Sequence, residues 1–143
     1  MKFSQSLKKN RDFQNVYKKG TSFANSYLVM YILENGLQEN RIGISVSKKV
    51  GNSVVRHHLT RLIRESYRLS EEHFRCGIDI VVIARTSAKG RNYHEIESAL
   101  IHLGKLLKIY KYLTGSGADE AGDVMADPVL QKVFIRYERI QHM

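Results

Sequence analysis

Cationic side chains recur at helical spacing in one stretch of this chain. From Ser45 to Arg68 the chain reads SVSKKVGNSVVRHHLTRLIRESYR. With Asn52 as the N-cap and Ser53 onward helical, His57, Arg61, Arg64 and Arg68 gather on one side at about 100° per residue. Val55, Leu59, Leu62 and Leu69 fall within about 80° of arc on nearly the opposite side. Arg56 stands between the two stripes, and Lys48 and Lys49 stand just before the helix. One side can lie on a sheet while the other offers a row of cations to a phosphate backbone. Such a surface binds a polyanion, and RNA is the polyanion it fits best.

Other chemistry fits these residues poorly. His57 and His58 are adjacent, so their rings diverge by about 100° and cannot easily act as acid and base on one phosphate. Asp12 and Asp79 read as isolated carboxylates, not as a pair for two-metal hydrolysis. Cys76 is the single cysteine, which excludes an intrachain disulfide, suits a reducing compartment and argues against a zinc site.

Composition agrees. The 143 residues carry a net charge of +9 and are 43% hydrophobic, enough for one domain with a real core. Residues 1–111 hold 20 Lys and Arg against 9 Asp and Glu, whereas residues 112–143 hold 3 against 5. The basicity therefore belongs to the first three-quarters of the chain. Met1–Lys19 is charged throughout and lacks the apolar stretch of a signal peptide. No run approaches the roughly 18 apolar residues of a membrane span. Cytoplasm is the expected location.

Asn10 is placed to cap a short helix to Lys19, with Gly20 after its end and Phe13, Val16 and Tyr17 on one face. Ser22 to Glu34 reads as one long strand, with Tyr27, Val29, Tyr31 and Leu33 on one side and Leu28, Met30 and Ile32 on the other. Arg41 to Ser47 is a second strand. Its Ile42, Ile44 and Val46 point one way, and Gly43, Ser45 and Ser47 leave the other side flat. That flat side beside tyrosines can either accept a bound chain or relieve crowding under a helix. Ile78 to Ala84 is nearly all apolar, as in a central strand buried on both faces. The last clear helix starts after Asn92, with Glu95 at the capping-box position and a stripe of Ile96, Leu100, Leu103, Leu107 and Tyr110. The order α-β-β-α-β-α predicts an α+β fold, with helices packed on one mixed sheet. A domain over 1–112 is then followed by a segment over 113–143. That segment has a linker at Thr114–Gly117, an acidic run from Asp119 to Asp127, and a candidate helix after Asp127-Pro128 with Val129, Val133, Phe134, Tyr137 and Ile140 inward.

Three strings together resemble the protein subunit of bacterial ribonuclease P: KKNRDFQNVYKKGTSFAN (Lys8–Asn25), RIGISVSKKVGNSVVR (Arg41–Arg56) and RLIRE (Arg61–Glu65). The resemblance runs from about Leu7 to Tyr110. It implies a two-layer α-β-β-α-β-α sandwich whose strand–helix–strand crossover is left-handed, against the general rule. It also implies a subunit that breaks no bond itself. The catalytic RNA subunit, with bound Mg²⁺, hydrolyses the phosphodiester at the 5′ end of mature tRNA, and the protein binds the 5′ leader of precursor tRNA and strengthens metal affinity of the complex. By the same resemblance Phe13, Tyr17 and Tyr31 line the leader cleft between the first helix and the sheet. Lys48, Lys49, Asn52, Arg56, His57, His58, Arg61, Arg64 and Arg68 belong to the RNA-binding signature. The residues alone leave Phe13, Val16 and Tyr17 as ordinary helix-to-sheet packing; with the resemblance, Phe13 and Tyr17 become cleft walls and Val16 stays core. The family usually has Arg-Asn-Arg where this chain has Arg56-His57-His58, and Lys where it has Thr60. Contacts with the catalytic RNA are accordingly expected to be weaker or more pH-dependent than the family norm. The competing readings are a stand-alone RNA-binding module of the ribosomal type and, further off, an autonomous histidine nuclease.

Overall fold

The structure is a computed structural model, and it describes residues 1, 2 and 4–111. The linker, acidic run and candidate helix expected after Tyr112 lie outside the described residues. The elements in chain order are β1 (Ser4–Ser6), α1 (Asn10–Lys19), β2 (Thr21–Ala24), β3 (Leu28–Glu34), β4 (Asn40–Ser45), α2 (Ser53–Ser70), β5 (Ile78–Ala84) and α3 (Tyr93–Leu106). The five strands form one mixed sheet in the order β1-β4-β5-β3-β2. β1, β4 and β5 run parallel, while β3 pairs antiparallel with both β5 and β2. The chain is thus α+β, with α2 carrying the crossover between the parallel neighbours β4 and β5.

β5 lies at the centre because its side chains are apolar in both directions. Ile80 and Val82 enter the main core, which they share with Leu28, Met30 and Ile42 of the sheet, Leu59, Ile63 and Tyr67 of α2, and Ile96, Leu100 and Leu103 of α3. Val81 points to the opposite face, where Leu7 and Val16 of the α1 region complete a smaller core. Hence α2 and α3 cover one face of the sheet, and α1 covers part of the other.

Local chemistry accounts for the helix starts. Asn52 Oδ1 accepts from the Val55 N–H at 3.0 Å, capping α2. Asn92 Oδ1 accepts from the Glu95 N–H at 2.9 Å and Glu95 Oε1 accepts from the Asn92 N–H at 3.3 Å, the full capping box. α1 differs from expectation: Lys9, not Asn10, is its cap residue, and it makes no side-chain capping bond. Its backbone oxygen receives the N–H groups of Asp12 and Phe13 instead. Gly20 is extended and not left-handed. A glycine is needed there because a Cβ would lie 2.5 Å from Val16 O and 2.6 Å from Ile32 O.

Four further readings are corrected. The expected strand over Ser22–Glu34 is a hairpin, broken where Asn25 Oδ1 accepts from the N–H groups of Tyr27 and Leu28. Asn25 Nδ2 also donates to Ala99 O at 2.8 Å, so α3 fixes the turn. Tyr27 therefore sits in the turn and packs toward the main core, not on the face of Tyr31. Leu69 is 58% exposed. The buried arc of α2 is formed by Leu59, Ile63, Ser66, Tyr67 and Ser70, and at about 100° per residue Leu69 stands about 60° beyond its edge. Tyr110 leaves the α3 stripe: after Leu106 the chain passes Lys108 at φ 61° and turns back, so that Tyr110 forms a β-bridge with Phe74.

Candidate nucleic-acid interface

Two surfaces on opposite faces of the sheet carry the residues singled out above. On the α1 face, the sheet presents Arg41, Gly43 and Ser45 from β4 beside Asp79, Val81 and Ile83 from β5 and Val29, Tyr31 and Leu33 from β3, as the pairing register requires. Val16 is fully buried against this face, which leaves Phe13 and Tyr17 half-buried at the margin of α1. The Phe13 and Tyr17 ring centroids are 6.4 Å apart, and Tyr17 meets Tyr31 edge-on at 5.1 Å. Gly43 lies directly beneath Phe13, where a Cβ would come within 2.5 Å of the ring. Of the two roles open to the small-residue side of β4, relief of crowding is thus realised at Gly43.

Beside these rings runs a cleft of about 420 Å³, lined by Lys8, Asn10, Phe13, Gln14, Tyr17, Ile44 and Ser45. Burial raises the Tyr17 hydroxyl above the usual tyrosine range, while a hydrogen bond with Ser45 opposes the rise. The ring is therefore neutral throughout the physiological range. Asn10, Phe13, Gln14 and Tyr17 follow the i, i+3, i+4, i+7 pattern of one helix face. Asn10 and Gln14, missed above, were in principle visible in that periodicity.

The anchorage of α1 was not foreseen. Asp79 is 2% exposed, and Arg41 holds it in a bidentate pair, Nε to Oδ1 at 2.7 Å and a terminal nitrogen to Oδ2 at 2.5 Å. The other terminal nitrogen reaches Asp12 of α1 at 3.5 Å, and Asn35 Nδ2 donates to Asp79 Oδ1 at 3.0 Å. Asp12 and Asp79, read above as isolated, are joined through one guanidinium. The Asp79 hydrogen bond raises the Arg41 pKa further above its ordinary value.

On the other side of the protein, α2 exposes His57, His58, Arg61, Arg64 and Arg68, and Lys48 and Lys49 are exposed in the preceding turn. Two signature residues have other engagements, and a third is partly withdrawn from the surface. Asn52 spends its side-chain oxygen on the helix cap. Arg68 forms a two-pronged pair with Glu65 one turn back, an exposed contact of the kind worth at most about 1 kcal/mol. Arg56 falls within the buried arc, and its Nε is buried with no hydrogen-bond partner. Thr60 turns its hydroxyl back to Arg56 O at 2.8 Å.

Among the described residues no group of three or more His, Cys, Asp or Glu side chains could hold a metal ion, and no helix is long and apolar enough to cross a membrane. Fold and site together define a small basic α+β protein with an aromatic cleft on one side of its sheet and a cationic helix on the other. The sequence profile of the family described as Ribonuclease P matches residues 1–109. The ribonuclease P protein component of Lachnoclostridium phytofermentans is 64% identical over 106 residues, covering 74% of this chain and 91% of that one. That of Alkaliphilus metalliredigens is 54% identical over 109 residues, covering 76% and 98%. Among solved structures, the Staphylococcus aureus RNase P protein matches with a TM-score of 0.69 at 43% identity, covering 74% of this chain and 97% of its own. The Thermotoga maritima protein gives 0.64 at 33%, covering 69% and 94%. The chain belongs to the ribonuclease P protein family.

Proposed function

We propose that this chain works in the cytoplasm as the protein subunit of a ribonuclease P, gripping the catalytic RNA with α2 and the 5′ leader of precursor tRNA in the α1 cleft. The observation that carries the reading is the pair of rings Phe13 and Tyr17 on the wall of a 420 Å³ cleft that Lys8 also lines, with Tyr31, outside the lining, meeting Tyr17 edge-on. Unpaired bases stack on such rings for about 1–3 kcal/mol each without demanding a sequence. That tolerance suits a subunit serving every precursor tRNA. On the other face, each phosphate met by an α2 cation releases counterions and adds roughly 0.7–0.9 to the slope of log affinity against log salt.

The residues do not fit a Mg²⁺ held by the protein. Asp12 and Asp79 are both engaged by Arg41, and a guanidinium between two carboxylates already supplies the charge a cation would bring. Mg²⁺ is accordingly assigned to the RNA, and the chain's part in leader removal is to bind and orient.

The test is 5′ cleavage of a precursor tRNA at low Mg²⁺, comparing catalytic RNA alone, protein alone and the mixture. Efficient cleavage by the mixture only is the expected result. Cleavage by protein alone would revive the histidine nuclease, and no gain on mixing would favour a ribosomal-type module.

A further inference from the structure

The cationic face of α2 is not flat. Between its middle turns and the start of α3 lies a hollow of about 530 Å³, lined by His58, Arg61, Leu62, Arg64, Glu65 and Tyr93. Its volume falls within the roughly 300–1,000 Å³ of clefts that enclose small organic ligands. We infer that this hollow takes a single unstacked nucleotide of a bound RNA, the base against Tyr93 and Leu62 and its phosphate at Arg61 and Arg64. The inference rests on the reading that α2 faces RNA, and it adds a base-sized receptor to a surface otherwise built for phosphates.

Three features carry it. First, the lining is bipartite: an aromatic ring and a leucine beside two arginines and a histidine, which matches a nucleotide's flat base and charged phosphate. Second, the ring is held in place. Tyr93 is half-buried, and its hydroxyl donates to Glu97 Oε2 at 2.6 Å on its own helix, which leaves the ring as its contact surface. Third, the one carboxylate in the hollow is neutralised, because both Glu65 oxygens receive Arg68. An A-form duplex keeps its bases stacked, so the ligand must come from a loop, bulge or end.

The test uses the full chain and measures affinity over a series of salt concentrations. The ligands are ribonuclease P RNA, a precursor tRNA, and a blunt, fully paired RNA duplex. Tyr93→Leu keeps an apolar side chain but removes the π-face. It is expected to lose roughly 5- to 150-fold in affinity for an RNA with unpaired nucleotides, with an unchanged salt slope and no loss on the duplex. Tyr93→Phe is expected to bind as the unsubstituted chain does. A loss confined to ribonuclease P RNA assigns the nucleotide to the catalytic subunit, and one confined to precursor tRNA assigns it to the substrate. Wild-type affinity on both, or an equal loss on the duplex, overturns the proposal. Arg61→Ala with Arg64→Ala tests the underlying reading separately, since an unchanged salt slope there would mean that α2 faces elsewhere. Should Tyr93→Leu fail to fold, 3-fluorotyrosine in the otherwise unsubstituted chain provides the readout, with the Tyr93 resonance assigned by its absence in Tyr93→Phe. The resonance should shift on adding RNA with unpaired nucleotides and stay put with the duplex; no shift with either overturns the proposal.

Discussion

Replacing Gly43 with alanine would set a methyl group 2.5 Å from Phe13 Cζ, 2.7 Å from Cε1 and 3.2 Å from Leu7 Cβ. Carbon atoms in ordinary contact stand about 3.5–4.0 Å apart, so the ring must retreat by about 1 Å or more. The sheet cannot yield, because Gly43 pairs with Val81 in the middle of the β4–β5 ladder. Phe13 is half-buried with the cleft beside it, so its ring swings into the space assigned to the leader. Overpacking costs about 1–3 kcal/mol, and loss of glycine's freedom in the unfolded chain returns about 0.4–1 kcal/mol. The net loss of stability is about 1–2 kcal/mol, readable as a shift of the urea midpoint at constant slope. Binding should suffer more selectively. Losing one stacked base costs about 1–3 kcal/mol, which is roughly a 5- to 150-fold loss of holoenzyme affinity for precursor tRNA. Affinity for mature tRNA and for the catalytic RNA should hold, since α2 lies across the sheet. A Gly43→Ala subunit that still prefers precursor to mature tRNA as the unsubstituted one does would refute this account of the cleft.

Arg41→Ala leaves Asp79 buried without its counter-charge, a change that typically costs 3–5 kcal/mol. About 3 kcal/mol is expected, because Asn35 still donates to the carboxylate, and a urea titration showing less than about 1 kcal/mol would mean that the pair does not anchor α1. Asn52→Ala removes the α2 cap and should cost about 1 kcal/mol, measured the same way, with the α2 cations left in place. Tyr93 is pushed up to about 12 by burial and then by Glu97. The unfolded chain gives up that proton first, so the stability due to neutral Tyr93 is complete below about pH 10 and is lost between about pH 10 and 12. Tyr93→Phe should therefore lose less stability than the unsubstituted chain between about pH 9 and 11 in paired urea titrations, and parallel losses would contradict the assignment.

What could be read from sequence was what neighbouring residues decide among themselves. The caps at Asn52 and Asn92, the apolar run of β5 and the stripe of Ile96, Leu100 and Leu103 all depend on residues within a few turns of one another. What was missed depends on contacts distant in sequence. β1 is only Ser4, Gln5 and Ser6, polar residues with no strand signature, yet they pair with Asn40, Arg41 and Ile42. Ser4 Oγ also lies 2.6 Å from the buried Tyr67 hydroxyl of α2. The break at Asn25 is completed by Ala99, 74 positions away. Arg41 finds Asp79 across 38 positions and Asp12 across a helix–sheet interface. Leu69 shows a different limit: an arc of about 80° through Val55, Leu59, Leu62 and Leu69 is centred about 70° from the true one, because Ile63 and Tyr67 fix the centre. The aromatic cleft was legible only as a resemblance, since periodicity alone could not separate a cleft wall from packing at Phe13 and Tyr17.

On the proposed function, the alternation of β4 and β5 is what would let so small a domain serve two RNA surfaces. Arg41, Gly43 and Ser45 point to the α1 cleft, while Ile42 between them enters the core under α2 and α3. Val81 and its neighbours Ile80 and Val82 divide in the same way. Because side chains alternate with period two, a one-residue slip would exchange the faces, and the buried Arg41–Asp79 pair penalises that slip by burying an unpaired charge. Only seven positions separate Ser45, which lines the cleft, from Asn52, which caps the cationic helix. β4 is paired on both sides, Val50 anchors the intervening turn in the core and α2 is capped, so leader and catalytic RNA would be held at an offset set by the sheet. On the proposed function that offset is the useful quantity. Base stacking on one side and phosphate contacts on the other are each indifferent to sequence, and only the fixed distance between them lets tolerant binding direct cleavage to one phosphodiester.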